Sequence, residues 1–160
     1  MKANYKTNAM RLLDSAKAVY TAHHYDDADE FKDGVTVAKE LGIDEKRVYK
    51  TLVTGSASKQ YYVFVIPVAK ELDLKAAAKA VGEKSVEMIK VSDINKITGY
   101  IRGGCTPIAM KKDYKTVIDQ SAQELDSFYI SAGKRGYQIE ISLSELKKVI
   151  DFDLCDIVHK

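Results

Sequence analysis

Cysteine occurs only twice in this chain, at Cys105 and Cys155, and the two form no motif. A disulfide framework or a cysteine-based zinc site needs more thiols at closer spacing, so a reduced, cytoplasmic protein is the simplest expectation. An excess of one charge is also missing: 25 basic residues against 23 acidic ones leave a formal net charge of +2. Such a balance gives no overall attraction to a polyanion, so any RNA contact has to come from local clustering. No apolar run approaches membrane-spanning length, and the first residues, MKANYKTNAM, carry no apolar signal core. Repeats, linkers and low-complexity tracts are absent. The 160 residues, 46% of them hydrophobic, fit one domain over residues 1–160 with a sizeable core.

Glycine is the residue whose placement says most. Five of the nine glycines fall in two short segments, TGYIRGGCTP (Thr98 to Pro107) and SAGKRG (Ser131 to Gly136). Adjacent glycines expose backbone N–H groups and let a ligand approach the main chain. Arg102, Lys134 and Arg135 are interleaved with them, which suits an anionic or carbonyl-bearing ligand. Ordinary turns have the same composition. Neither segment is a phosphate fingerprint: GxxxxGK[ST] is absent and GYIRGG lacks the GxGxxG spacing, so no nucleotide cofactor is expected.

Periodicity sketches the rest. Ala9, Leu12, Leu13 and Ala16 predict an amphipathic helix with Asn8 as cap, followed by a strand over Val19 to Tyr25 and an acidic loop over Asp26 to Asp33. Val35, Ala38 and Leu41 predict a helix closed by Gly42, and Asp44 caps a further turn. The strand Val48 to Val53, the turn GSASK and the apolar run from Tyr61 to Ile66 predict a hairpin, its second strand buried on both faces. Leu74, Ala77, Ala78 and Val81 give a helix between Asp73 and Gly82, and Ser92 to Lys96 a short one. Val117-Ile118, Phe128 to Ile130 and Tyr137 to Ile141 read as strands. Ser142 and Glu145 form a capping box for a last helix with Leu143, Leu146 and Ile150 inward, ahead of a strand from Cys155 to Val158. Helices and strands alternate without a βαβ rhythm, which predicts an α+β fold with a mixed sheet curled toward a barrel.

Lys50 lies mid-strand, on one face with Val48 and Leu52. A lysine there either reaches solvent at an edge or points into a pocket, where burial lowers its pKa and makes it useful. His23 and His24 are adjacent, so they point to opposite sides of a strand and do not share a metal, and no other spacing completes a metal site. Cys105 follows Gly103-Gly104 and invites a nucleophile reading, but a thiol nucleophile needs a base within reach, and none is near in sequence. Lys111, Lys112, Lys115, Lys134 and Arg135 would form a basic rim if the two glycine segments converge.

Three motifs in register, YKTL around Lys50, TGYxxGGx[ST]P at Thr98 to Pro107 and SxGKRG at Ser131 to Gly136, resemble the YbaK/EbsC family of the prolyl-tRNA editing superfamily. The order of HHYD and LGID ahead of the lysine extends the likeness over nearly the whole chain. The resemblance implies a single α+β domain with a mixed, partly barrel-like sheet. It also implies a trans-editing deacylase that removes cysteine from Cys-tRNA(Pro), and also from Cys-tRNA(Cys), with prolyl-tRNA synthetase as a partner. By matching position, Lys50 would hold the substrate, and Gly103 and Gly104 would present amides to the aminoacyl ester. Tyr25, Thr98, Thr106, Ser131, Gly133 and Arg135 would bind substrate.

The chain departs from the family pattern at three places. Cys105 replaces an aliphatic residue, Thr106 a frequent serine, and Gln138 a residue that is acidic in some relatives. The family's proposed nucleophile is the substrate's own thiol, so Cys105 has no part in that chemistry. Two alternatives stay open from the sequence: an Ala- or Ser-tRNA deacylase that activates water, and a non-catalytic module that binds aminoacyl-tRNA or a nucleotide. A cysteine hydrolase built on Cys105 is a third.

Overall fold

The computed structural model describes residues 5–26 and 31–160, so half of the acidic stretch read as a loop, residues 27–30, lies outside it. Helix α1 (Asn8–Ser15) begins one residue earlier than the sequence implies, because Thr7 rather than Asn8 is the cap, its hydroxyl accepting from the Met10 N–H at 3.1 Å. Its inward face is Ala9, Met10 and Leu13, and Leu12 stays 39% exposed. Strand β1 (Tyr20–His24) is antiparallel to β7 (Tyr137–Ile141), which is antiparallel to β6 (Phe128–Ser131), forming a three-stranded sheet in the order β1-β7-β6.

A second sheet runs β4-β2-β3-β5-β8. Its centre is the expected hairpin of β2 (Tyr49–Ser56) and β3 (Tyr61–Pro67). Strand β5 (Lys115–Asp119) lies parallel to β3, and β8 (Asp153–Cys155) parallel to β5, so the sheet is mixed. Strand β4 (Val86–Met88), which periodicity missed at three residues, pairs with β2 only from Thr54 to Ser56. The last strand sits two residues before its predicted place, and Val158 makes an isolated bridge with Leu72 instead. The expected mixed sheet is present, but the strands divide between two sheets and do not close into a barrel. The sheets meet at a single parallel bridge between Val48 and Tyr129.

Helices α2 (Gly34–Leu41) and α3 (Leu74–Val81) end as expected at Gly42 and Gly82, both left-handed with φ of 69° and 74°. Asp33 and Asp73 cap their first turns. Asp44 caps the 3-10 turn Glu45–Arg47, and a further short helix, α4, spans Ile94–Thr98. At α5 (Leu143–Leu146) the capping box is half formed. Ser142 accepts from Glu145 N–H, but the Glu145 carboxylate turns outward to the Val19 N–H at 2.7 Å.

Strand β3 is buried on both faces, as its continuous apolar run requires. Val63 and Val65 pack with Phe128, Ile130, Ile139 and Ile141 of the other sheet and with Met10 and Leu13 of α1. Phe64 and Ile66 pack on the opposite side against Ala77, Ala78 and Val81 of α3. This sandwich fixes β2 at the seam between the two sheets, and the candidate site lies there. No helix among the described residues is long and apolar enough to cross a membrane.

Candidate functional site

The uneven pairing of β2 creates a cavity. One edge is fully paired with β3, but the other has only the Val48 bridge at one end and β4 from Thr54 onward. Between them that edge lacks a strand partner, and a cavity of about 340 Å³ runs along it, lined by all five residues from Val48 to Leu52. The first turn of α2 forms a second wall. Tyr25, Ser131 and Gln138 come from the end of the three-stranded sheet, where Ser131 faces Gln138 across the β6–β7 ladder. Phe31, Arg102 and Gly103 lie toward solvent, and buried Cys105 completes the lining.

Lys50 enters this cavity. Burial lowers its pKa, while Glu71 and Asp33 nearby oppose the shift and favour the ammonium. Among the described residues its ammonium has no hydrogen bond and no carboxylate oxygen within 4.0 Å. Three buried side-chain oxygens among the described residues also lack a partner: Thr51 Oγ1, Thr106 Oγ1 and Gln138 Oε1. Two of them, on Thr51 and Gln138, belong to cavity-lining residues. An unsatisfied buried acceptor costs about 1–3 kcal/mol, so these oxygens mark where a ligand's donors fit.

The two glycine segments converge, as the basic-rim reading required. Arg135 Nε donates to the Arg102 carbonyl at 2.6 Å, and a Cβ on Gly104 would stand 3.2 Å from the Arg135 backbone nitrogen. A side chain there would push the two backbones apart by a few tenths of an ångström. Gly103 has φ +87°, and a Cβ there would meet Phe31 Cδ1 at 3.0 Å. Gly103→Ala should therefore cost about 1–2 kcal/mol from the left-handed backbone alone, read as a lower urea midpoint with unchanged m value.

The site residues named from sequence separate into three places. Lys50, Gly103, Tyr25 and Ser131 line the cavity. Arg135 sits at its rim against Phe31. Gly104, Thr98, Thr106 and Gly133 are not among the lining residues. The Gly104 N–H is already given to the Ile101 carbonyl at 2.9 Å, whereas the Gly103 N–H has no partner among the described residues. Thr98 is buried, its hydroxyl donating to the Ile94 carbonyl at 2.7 Å and accepting from Tyr100 N–H at 3.0 Å. Gly133 donates to Ser131 Oγ at 3.3 Å, which leaves the serine proton for the cavity.

Cys105 is poorly placed for attack. Burial pushes its thiol up to about 12, no histidine lines the cavity, and a protonated thiol is a weak nucleophile. Lys112 and Lys115 line a different and larger cleft of about 630 Å³, together with Asp113, Asp151 and Asp153. That cleft has none of the three motifs beyond Pro107, whereas the smaller cavity is lined by residues of all three. Phe31 and Thr51 were not singled out by sequence. Phe31 falls in a stretch whose acidic composition hid its one aromatic residue. Among the described residues no group of three or more His, Cys, Asp or Glu side chains is arranged to hold a metal ion.

The sequence model of the aminoacyl-tRNA editing domain matches residues 29–149, which include the lysine strand and both glycine segments. The chain belongs to the aminoacyl-tRNA editing family. A relative from Enterococcus faecalis, provisionally named a Cys-tRNA(Pro)/Cys-tRNA(Cys) deacylase, EbsC, is 41% identical over 159 residues, covering 99% of this chain and 97% of its own. The resemblance carried by the three motifs is thereby met. Among solved structures, one described provisionally as a trans-editing enzyme for prolyl-tRNA synthetase superposes on this editing domain with a TM-score of 0.81. It covers 98% of this chain and 100% of that one at 16% identity, a likeness of fold. The "hypothetical protein APE2540" matches similarly, with a TM-score of 0.80 at 20% identity over 93% of this chain and 97% of its own.

Proposed function

We propose that this editing domain is a trans-acting deacylase that removes cysteine from mischarged Cys-tRNA(Pro), and from Cys-tRNA(Cys), by letting the substrate's own thiol do the attacking. The observation that carries this reading is the cavity's inventory among the described residues: an ammonium, a free amide and two unpartnered oxygens, with no histidine, a protonated Cys105 thiol, and the Asp33 carboxylate engaged in capping α2. Such a site can orient and stabilise an ester, but none of its hydroxyls or its thiol has a histidine to activate it. Cysteine brings the nucleophile, a thiol that is a few per cent thiolate near neutral pH and intrinsically reactive.

In the reaction the cysteine sulfur adds to its own ester carbonyl and the carbon–oxygen bond to the ribose breaks. A thiolactone leaves, and the thiol proton ends on the freed ribose hydroxyl. Lys50 holds the carbonyl or the ribose-side oxygen, and the Gly103 N–H meets the negative charge that develops on the carbonyl. Gly104 contributes through its bond to Ile101, which keeps the turn in shape. The α-ammonium of the aminoacyl group is received by Gln138 Oε1 and Thr51 Oγ1. Tyr25 and Ser131 shape the wall, while Thr98, Thr106 and Gly133 support the loops behind it and Arg135 the rim. Holding sulfur against carbonyl is worth up to roughly 7–11 kcal/mol in favourable intramolecular systems, less the strain of a four-membered ring.

The biological logic is that cysteine and proline have similar volume, so a synthetase pocket does not separate them well by fit. Affinity for tRNA beyond the local basic rim comes from prolyl-tRNA synthetase as partner, since a net charge of +2 gives little.

Single-turnover deacylation of Cys-, Ser- and Ala-tRNA(Pro), with and without the synthetase, tests the reading. The cysteine ester should be cleaved at least about 10²-fold faster, because alanine carries no side-chain nucleophile and a serine hydroxyl is far weaker. Comparable cleavage of the alanine ester would point to activated water and overturn the thiol mechanism. Cys105→Ala should keep the Cys-tRNA(Pro) rate within about twofold, since its thiol is protonated near neutral pH. Tight RNA binding without any deacylation would identify a binding module instead.

A further inference from the structure

The side of the cavity that faces solvent is built around one ring. Phe31 is 38% exposed, the Arg102 guanidinium lies 4.0 Å from its centroid, and that of Arg135 lies 5.7 Å away. The hydrogen bond from Arg135 Nε to the Arg102 carbonyl ties the two arginines together across the glycine segments. Neither guanidinium has a carboxylate oxygen within 4.0 Å among the described residues. An exposed aromatic residue flanked by two arginines held in place is the arrangement that stacks a nucleobase and pairs with a phosphate. A purely structural arginine would be expected to find a carboxylate.

We propose that Phe31, with Arg102 and Arg135, is the platform that receives the terminal base of an RNA 3′ end and the phosphate preceding it. The proposal rests on the deacylase reading for the direction of the substrate. An ester held between Lys50 and Gly103 is attached to a ribose, and the same ribose carries the base. Gly103 and Phe31 are neighbours, since a Cβ on one would stand 3.0 Å from the ring of the other, so the base leaves the cavity beside this ring. The arginines meet the phosphate on the far side of that ribose. Two backbone features hold the platform: the left-handed turn at Gly103, and the contact of Gly104 with the Lys134–Arg135 backbone. Base stacking of this kind tolerates any base, so the cavity and not the platform reads the amino acid.

The test is a binding cycle on uncharged RNA, which needs no deacylation. Wild-type protein, Phe31→Leu and Phe31→Tyr are titrated with a short acceptor-stem RNA ending in its natural 3′ nucleotide and with the same RNA ending in an abasic sugar. Removing the base should weaken wild type and Phe31→Tyr about tenfold and Phe31→Leu less than twofold. Arg102→Gln and Arg135→Gln should weaken both RNAs equally and flatten the salt dependence. An equal loss in Phe31→Leu and wild type, no loss in wild type, or no saturable binding by wild type overturns the platform. Free adenosine 5′-monophosphate supplies the same chemistry from another source. It should compete at least tenfold more weakly than the RNA; equal affinity would make this a mononucleotide site and overturn the RNA-end assignment. Failure of the deacylation panel with a positive binding cycle would sink the proposed reaction and leave the platform standing.

Discussion

Lys50→Met is expected to lower single-turnover deacylation of Cys-tRNA(Pro) by about 10²–10³, the loss typical of removing one preorganised donor from developing negative charge. Methionine keeps most of the volume, so the wall formed by Val48 to Leu52 should hold its shape. The fold should lose nothing and even gain. Burial holds the Lys50 pKa below its ordinary 10.5, meaning that the ammonium is less comfortable folded than unfolded. The penalty is fully present below the folded pKa and disappears as pH rises through it toward the unfolded value, so wild type should gain relative stability over that alkaline window. Lys50→Met removes the penalty and with it this part of the pH dependence. In wild type, activity should rise as the substrate thiol ionises and fall again as Lys50 loses its proton, below the usual lysine range. A variant of normal stability and undiminished rate would remove Lys50 from the mechanism.

Gly34→Ala should be the most damaging small substitution for the fold. Gly34 opens α2, where alanine would ordinarily help a helix by up to about 1 kcal/mol. Space decides otherwise. A Cβ at Gly34 would stand 2.1 Å from Val68 Cγ1 and 2.5 Å from Val68 Cβ. Val68 yields poorly: its χ1 is stiff, and its N–H is bonded to the Val48 carbonyl at 2.9 Å. Overpacking costs about 1–3 kcal/mol and outweighs the helix gain, for a fall in Tm of about 2–8 °C by calorimetry. Val68→Ala in the same chain should recover part of the loss. Gly34 and Val68 both line the cavity, so the shift should also reach deacylation of Cys-tRNA(Pro). Unchanged stability in Gly34→Ala would show that α2 slides freely over β3.

These two residues also show what could and could not be read in the chain. Lys50 was visible because a lysine inside an apolar alternation is a local anomaly. The β2–β3 hairpin, α3 with its cap and its glycine, and Asp44 were visible for the same reason: each signal lies within a few residues of what it dictates. Gly34 was not visible, because the group that forbids a side chain there lies on another element. Gly103 and Gly104 look alike in sequence, and only the turn bond to Ile101 separates the engaged amide from the free one. The displaced last strand and the missed β4 are short, and neighbours rather than propensity place them. Cys105 drew attention for its position, yet its environment makes it inert.

The unpartnered oxygens of Thr51 and Gln138 have a consequence for how this protein changes over time. A mutation such as Gln138→Leu would relieve a buried polar group and make the empty domain sturdier, while taking away the contact proposed for the aminoacyl group. Selection for robustness alone would therefore erode the cavity first at these positions. Their persistence as polar residues would be a sign that the chain is held to its task and not merely to its shape.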